Sequence, residues 1–165
     1  MAPRVVVVGL GNPLLADDAA GLAVADELER LLAAHPVPGV TVVRSFRGGL
    51  ELLDLLTGFE HAVLIDAVVR DDAVPGRLHE LDVEQLAGSA RLVGGHDADV
   101  GTALALGRRA GLAMPATVRV LGIEAEDVMS FREQLSPAVA AAVLELARSL
   151  HAELAANSGG VGPPE

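Results

Sequence analysis

Four polar residues stand where apolar, strand-like runs give out: Asp17 and Asp18 after Val5–Leu10, Asp66 after Ala62-Val63-Leu64-Ile65, and His96 after Gly94 and Gly95. An acid following four apolar strand residues loses solvation unless it is paired, hydrogen-bonded or bound to metal, so Asp66 marks either a site or a carboxylate that holds a loop by backbone hydrogen bonds. Asp17 and Asp18 can cap the helix that follows and complement its dipole, worth ~1 kcal/mol, while also facing a ligand. His96 taken singly reads as a solvated loop histidine. Taken together, two carboxylates and an imidazole from three loops make a facial oxygen and nitrogen set for a divalent ion such as nickel, zinc or iron. His35, His61, His79 and His151 have no acidic partner at telling spacing and read as structural.

Composition narrows the chemistry further. The chain has no Cys, and its 12 basic residues are all Arg. Thiol nucleophiles, disulfides, Schiff-base lysines and a P-loop lysine are thereby excluded. A net charge of -11 and an aromatic content of 2% argue against nucleic acid, which needs basic surface and stacking platforms. Hydrophobic residues reach 51% against 21% charged in 165 residues, enough for one self-sufficient core. The expectation is a single domain over residues 1–156 and a frayed Gly- and Pro-rich tail over 157–165. No apolar stretch approaches the ~20 residues of a membrane span. The acidic pair follows the first apolar run too soon for a secretory signal, so a cytoplasmic protein is expected, without a membrane partner.

The elements that must carry these residues alternate between strand and helix. Arg4–Gly9 is a β-branched run suited to a strand buried on both faces. Residues 19–34 place Leu22, Val24, Ala25, Leu28, Leu31 and Leu32 at helical spacing. Val40–Val43, His61–Val69 and Ala116–Ile123 read as strands, with Arg77–Leu81 a short strand at the edge. Helices are expected over 49–56, ended by Gly58, within 100–110, and from Ser136-Pro137 to about Ala155, with Ser136 as the N-cap. A helical turn is expected over 83–86. The pattern predicts a three-layer α/β fold: a twisted, mostly parallel sheet of about five strands with helices on both faces, its ligands bound at the carboxyl ends of the strands. A dinucleotide is disfavoured, since Leu14 stands where a third glycine would be needed and two carboxylates oppose a pyrophosphate.

The run Val5-Val6-Val7-Val8-Gly9-Leu10-Gly11-Asn12-Pro13-Leu14-Leu15-Ala16-Asp17-Asp18, followed by Gly21, resembles the opening of the hydrogenase maturation endopeptidases. Leu121-Gly122-Ile123-Glu124 and Leu135-Ser136-Pro137 resemble that family's last strand and final helix. Gly49-Leu50-Glu51-Leu52-Leu53, Asp66 and His96 fall between them in the expected order, so the resemblance spans residues 4 to 150. It implies that Asp18, Asp66 and His96 are the catalytic, metal-contacting residues. It also implies that the metal is nickel already inserted in the substrate, a nickel-iron hydrogenase large-subunit precursor whose C-terminus is trimmed. Nickel is then cargo and not a resident cofactor, and cadmium or zinc are expected to substitute for it. The protein is expected to act as a monomer.

Asn12, Asp17, Arg44 and Arg47 are the residues assigned to substrate recognition. Arg44-Ser45-Phe46-Arg47 stands where the family often has Asp-Gly, and Ala19 where it often has Gly. Arg44 and Arg47 are expected to form a basic patch for an acidic partner, or else to pair with the chain's own acids, such as Glu51 or Asp54. Two rivals share the same words: a non-proteolytic assembly partner on the same fold, and peptidyl-tRNA hydrolase, whose opening Gly9-Leu10-Gly11-Asn12-Pro13 also resembles.

Overall fold

The computed structural model describes residues 2–46, 49–81, 83, 91–92 and 96–158, with 91, 92 and 96–99 described by their backbone alone. The valine run forms β1 (Val5–Leu10), and a 3-10 turn (Ala16–Ala19) leads into α1 (Ala20–Ala34). The chain continues through β2 (Val40–Ser45), α2 (Glu51–Leu56), β3 (His61–Val69), β4 (Leu78–Leu81), β5 (Arg91–Leu92), α3 (His96–Arg109), β6 (Thr117–Glu124) and α4 (Pro137–Ser158). The sheet order is β2-β1-β3-β6-β4, with β5 paired to β3 off this path. Pairings among β2, β1, β3 and β6 are parallel, whereas β4 on β6 and β5 on β3 are antiparallel.

Two apolar layers follow from the period-2 alternation of the strands. Val7, Val63, Ile65, Leu121 and Ile123 pack with α1 and α4 on one face. Val6, Val8, Leu10, Ala62, Leu64 and Val120 pack with α2 and α3 on the other. Strand β1 sends the chain to β2 on one side, and β2 returns it across to β3 on the other, so the strand order reverses between β1 and β3. A crevice at such a switch point, outside the carboxyl ends of the strands, is where open α/β sheets bind ligands.

The expected three-layer architecture is present, with β5 as an addition. The final helix runs to Ser158, past the expected start of the tail at residue 157, because its apolar residues Leu150 and Leu154 still reach the core. Residues 159–165 lie outside the described residues, as does most of the helical turn expected over 83–86. Among the described residues no helix is long and apolar enough to cross a membrane.

Candidate active site

The chain after β1 folds back so tightly that Gly11 in the loop and Gly21 in the first turn of α1 have no room for a side chain. A Cβ on Gly11, at φ +147°, would lie 2.0 Å from the carbonyl oxygen of Asp18. A Cβ on Gly21 would lie 2.2 Å from the Ile65 carbonyl oxygen and 2.4 Å from that of Leu10. The first turn of α1 therefore rests directly on the ends of β1 and β3, and the 3-10 turn that carries Asp18 lies against β3. Ala16, at φ +46°, is held in the left-handed region at a cost of ~1–2 kcal/mol, its amide donating to the Arg132 carbonyl oxygen at 2.9 Å.

This packing brings the elements of two buried acids together at the switch point. Asp18 is 5% exposed, and Asp66, near the end of β3, is fully buried with its Oδ1 accepting the Ala67 amide at 2.8 Å. Asp66 shares its strand parity with Ala62, Leu64 and Val68, which places it on the α2 and α3 face, and His96 opens α3 on that same face. The His96 side chain is outside the described residues, and among those described no group of three His, Cys, Asp or Glu side chains gathers to hold a metal ion. Two buried carboxylates on abutting elements supply hard oxygen donors, the kind of set that a divalent cation satisfies.

Asp17 departs from the role expected of it. It is fully buried, and its carboxylate accepts the amides of Glu126 (2.9 Å), Asp127 (3.0 Å) and Ser136 (2.7 Å) and the Ser136 hydroxyl (2.8 Å). A carboxylate so enclosed cannot touch substrate; it fastens the Asp18 turn to the β6–α4 connection. Asp17 does not cap α1: its carboxylate is taken up by the β6–α4 connection, and the N-cap position itself is Ala19. Ser136 likewise turns its hydroxyl to Asp17. Asn12 shapes the loop, its Oδ1 accepting the Leu14 amide at 3.0 Å.

Arg44 follows the second of its two expected roles, pairing with the chain's own acids. Its parity is that of Val40 and Val42, so it emerges on the α1 face and pairs with Asp26 and Glu29, the latter at 2.7 Å. These α1 acids, rather than Glu51 or Asp54, are its partners, and they hold its guanidinium away from the Asp66 face. Glu51 instead accepts the Ser45 hydroxyl at 2.8 Å. Arg47 lies outside the described residues.

Glu124 was not singled out by the sequence reading, although it carries the same signal as Asp66, an acid closing an apolar strand. It is fully buried at the end of β6, bonded to the Val74 amide and the His79 ring, with Arg70 at 3.9 Å and Arg77 at 4.0 Å. Burial opposes its ionisation, but the Val74 amide, the His79 ring and the Arg77 guanidinium outweigh burial and hold the carboxyl below the usual glutamate range. His79 thus has an acidic partner after all, and the cluster locks the β3–β4 loop onto β6. A cavity of about 270 Å³ sits at the opposite edge, beside His61, Thr117, Val5 and Val40, the first residues of four strands. It lies at the opposite end of the sheet from Asp66 and the Asp18 turn.

A mostly parallel α/β sheet with two buried acids at its switch point defines an open α/β fold of the kind that binds ligands at the carboxyl ends of its strands. Residues 22–153 match the family model described as hydrogenase maturation protease, and the chain belongs to that family. It is similar to the hydrogenase maturating endopeptidase HybD from E. coli, with a TM-score of 0.75, 26% identity, and coverage of 92% of this chain and 91% of that one. It is also similar to the [NiFe] hydrogenase maturation protease HybD from Thermococcus kodakarensis, with a TM-score of 0.69, 28% identity and coverage of 92% and 99%. The hydrogenase 2 maturation protease of Escherichia coli K12 is 31% identical over 84 residues, half of this chain and 49% of that relative's length. The match sets aside the peptidyl-tRNA hydrolase reading.

Proposed function

We propose that the protein is an endopeptidase that removes the C-terminal extension of a nickel-iron hydrogenase large-subunit precursor and recognises the nickel already bound there. The observation that carries this reading is the packing of the Asp18 turn onto the end of β3 beside the buried Asp66, within a family of maturation proteases. Asp18, Asp66 and His96 fill coordination positions that the precursor's own ligands leave open on nickel. That coordination fixes the neighbouring peptide against the carboxyl edge of the sheet, where positioning alone contributes much of the rate. A precursor without nickel offers no bridge, so cleavage reports that the metal has been inserted. Cadmium or zinc, with similar preferences for oxygen and nitrogen donors, substitute for nickel at these residues. The reaction takes place in the cytoplasm with the protease as a monomer.

The test is to incubate the protein with nickel-loaded and nickel-free precursor and follow the large subunit by gel mobility. Only the nickel-loaded form shifts. Equal trimming of both forms overturns nickel recognition, and trimming of neither overturns proteolysis.

A further inference from the structure

We propose that Leu14, Met129 and Phe131 form a docking surface for an apolar, positively charged segment of the large-subunit precursor, a proposal that rests on the proteolytic reading above. Leu14 is 54% exposed, Met129 81% and Phe131 86%, and Phe131 is one of only three aromatic residues in the chain. Large apolar side chains held in water together mark a binding surface more often than chance. Backbone pairing at Arg132 places Leu14 beside the segment that carries Met129 and Phe131. The Arg132 amide donates to the Leu14 carbonyl oxygen at 3.1 Å, and Leu15 and Arg132 form a parallel bridge.

The frame beneath them is tied down by buried and local hydrogen bonds. Asp17 anchors the connection through the Glu126, Asp127 and Ser136 amides, and Asp127 Oδ1 accepts the Met129 and Ser130 amides at 3.0 Å each. A surface ordered before binding loses little entropy when a partner arrives. The charge around it selects that partner: Glu126 and Glu133 are exposed on the same connection, where the one guanidinium, Arg132, is paired with Asp127 at 3.5 Å, so the connection stays net negative in a chain of net charge -11. A segment bearing Arg or Lys among apolar residues complements this surface, whereas a second copy of this acidic chain is repelled. Leu14 and Asp18 belong to one loop, so a segment seated here enters the carboxyl edge beside the buried acids. Asp17 thereby couples the docking surface to the site.

The test is steady-state cleavage of nickel-loaded precursor by the Met129→Ser/Phe131→Ser double variant and, separately, by the Glu126→Lys/Glu133→Lys charge reversal. All four side chains are solvent-exposed, so thermal melts remain at the wild-type midpoint. Each variant is expected to raise KM about tenfold while kcat stays within about twofold, the signature of lost substrate binding. Unchanged KM in both variants, or a fall in kcat at constant KM, overturns the docking surface. If the wild-type protein itself leaves the precursor uncut, the proteolytic reading falls and the occupant with it; if it cuts and the variants match its KM, only the docking proposal falls.

Discussion

Gly21→Ala is the substitution that most directly probes how the fold positions its acids. In an exposed helix Ala would be favoured over Gly by ~1 kcal/mol. Here the added methyl would sit 2.2 Å and 2.4 Å from the Ile65 and Leu10 carbonyl oxygens, where ordinary contact begins at 3.4 Å. Both obstacles are backbone atoms of the two central strands, so neither can rotate aside, and α1 must retreat by about 1 Å. Overpacking of this kind costs ~1–3 kcal/mol, and at the upper end of that range ~2 kcal/mol remains after the helix preference is offset. For a chain of this length the thermal midpoint should fall by roughly 4–8 °C. Activity should fall further, because the retreating turn takes Asp18 away from β3, and a misplacement of ~1 Å costs on the order of a hundredfold in rate. Melting the variant and timing precursor cleavage well below its midpoint separates the two effects. A variant that melts with the wild type, or cuts at the wild-type rate, refutes the argument that close approach of α1 sets the site.

Removal of the Asp17 carboxylate in Asp17→Ala leaves the amides of Glu126, Asp127 and Ser136 without their buried acceptor, and should cost about 3–5 kcal/mol in a thermal or urea melt. Glu124 gives a pH signature: its carboxyl is held below the usual glutamate range when folded, so its contribution is complete above that range and is lost as pH falls through the depressed value. Glu124→Gln should therefore flatten the acid side of the stability–pH curve, read by melts between pH 7 and about 3. Arg44→Ala removes half-exposed ion pairs to Asp26 and Glu29, worth within ~1 kcal/mol, and should leave both KM and kcat for the precursor unchanged.

Much of this was legible in the sequence because burial on both faces of a central strand leaves a continuous apolar run. His61–Val69 reads as a strand between the same two residues that bound β3, and β1 differs by one residue at each end. Strand β5, two residues long, has no periodicity to read. Asp17 and Asp18 are alike as letters, yet the three-residue repeat of a 3-10 turn sends neighbouring side chains in different directions, and it is Asp17 whose carboxylate enters the β6–α4 connection. The side to which Arg44 points follows from β2 parity, but its partners, 15 and 18 residues back, depend on how α1 packs over β2. Glu124 shows the converse: the buried-acid signal that identifies Asp66 identifies a structural lock just as readily, and only its neighbours distinguish the two.

If the buried acids at the switch point engage substrate-borne nickel, the carboxylate of Asp66 is indispensable. Single-turnover cleavage of nickel-loaded precursor by Asp66→Asn, beside the wild-type protein, tests it most directly. The substitution keeps the shape and an oxygen to accept the Ala67 amide but removes the anionic donor. Processing should be abolished while the thermal transition stays cooperative; cleavage at the wild-type rate would contradict the account.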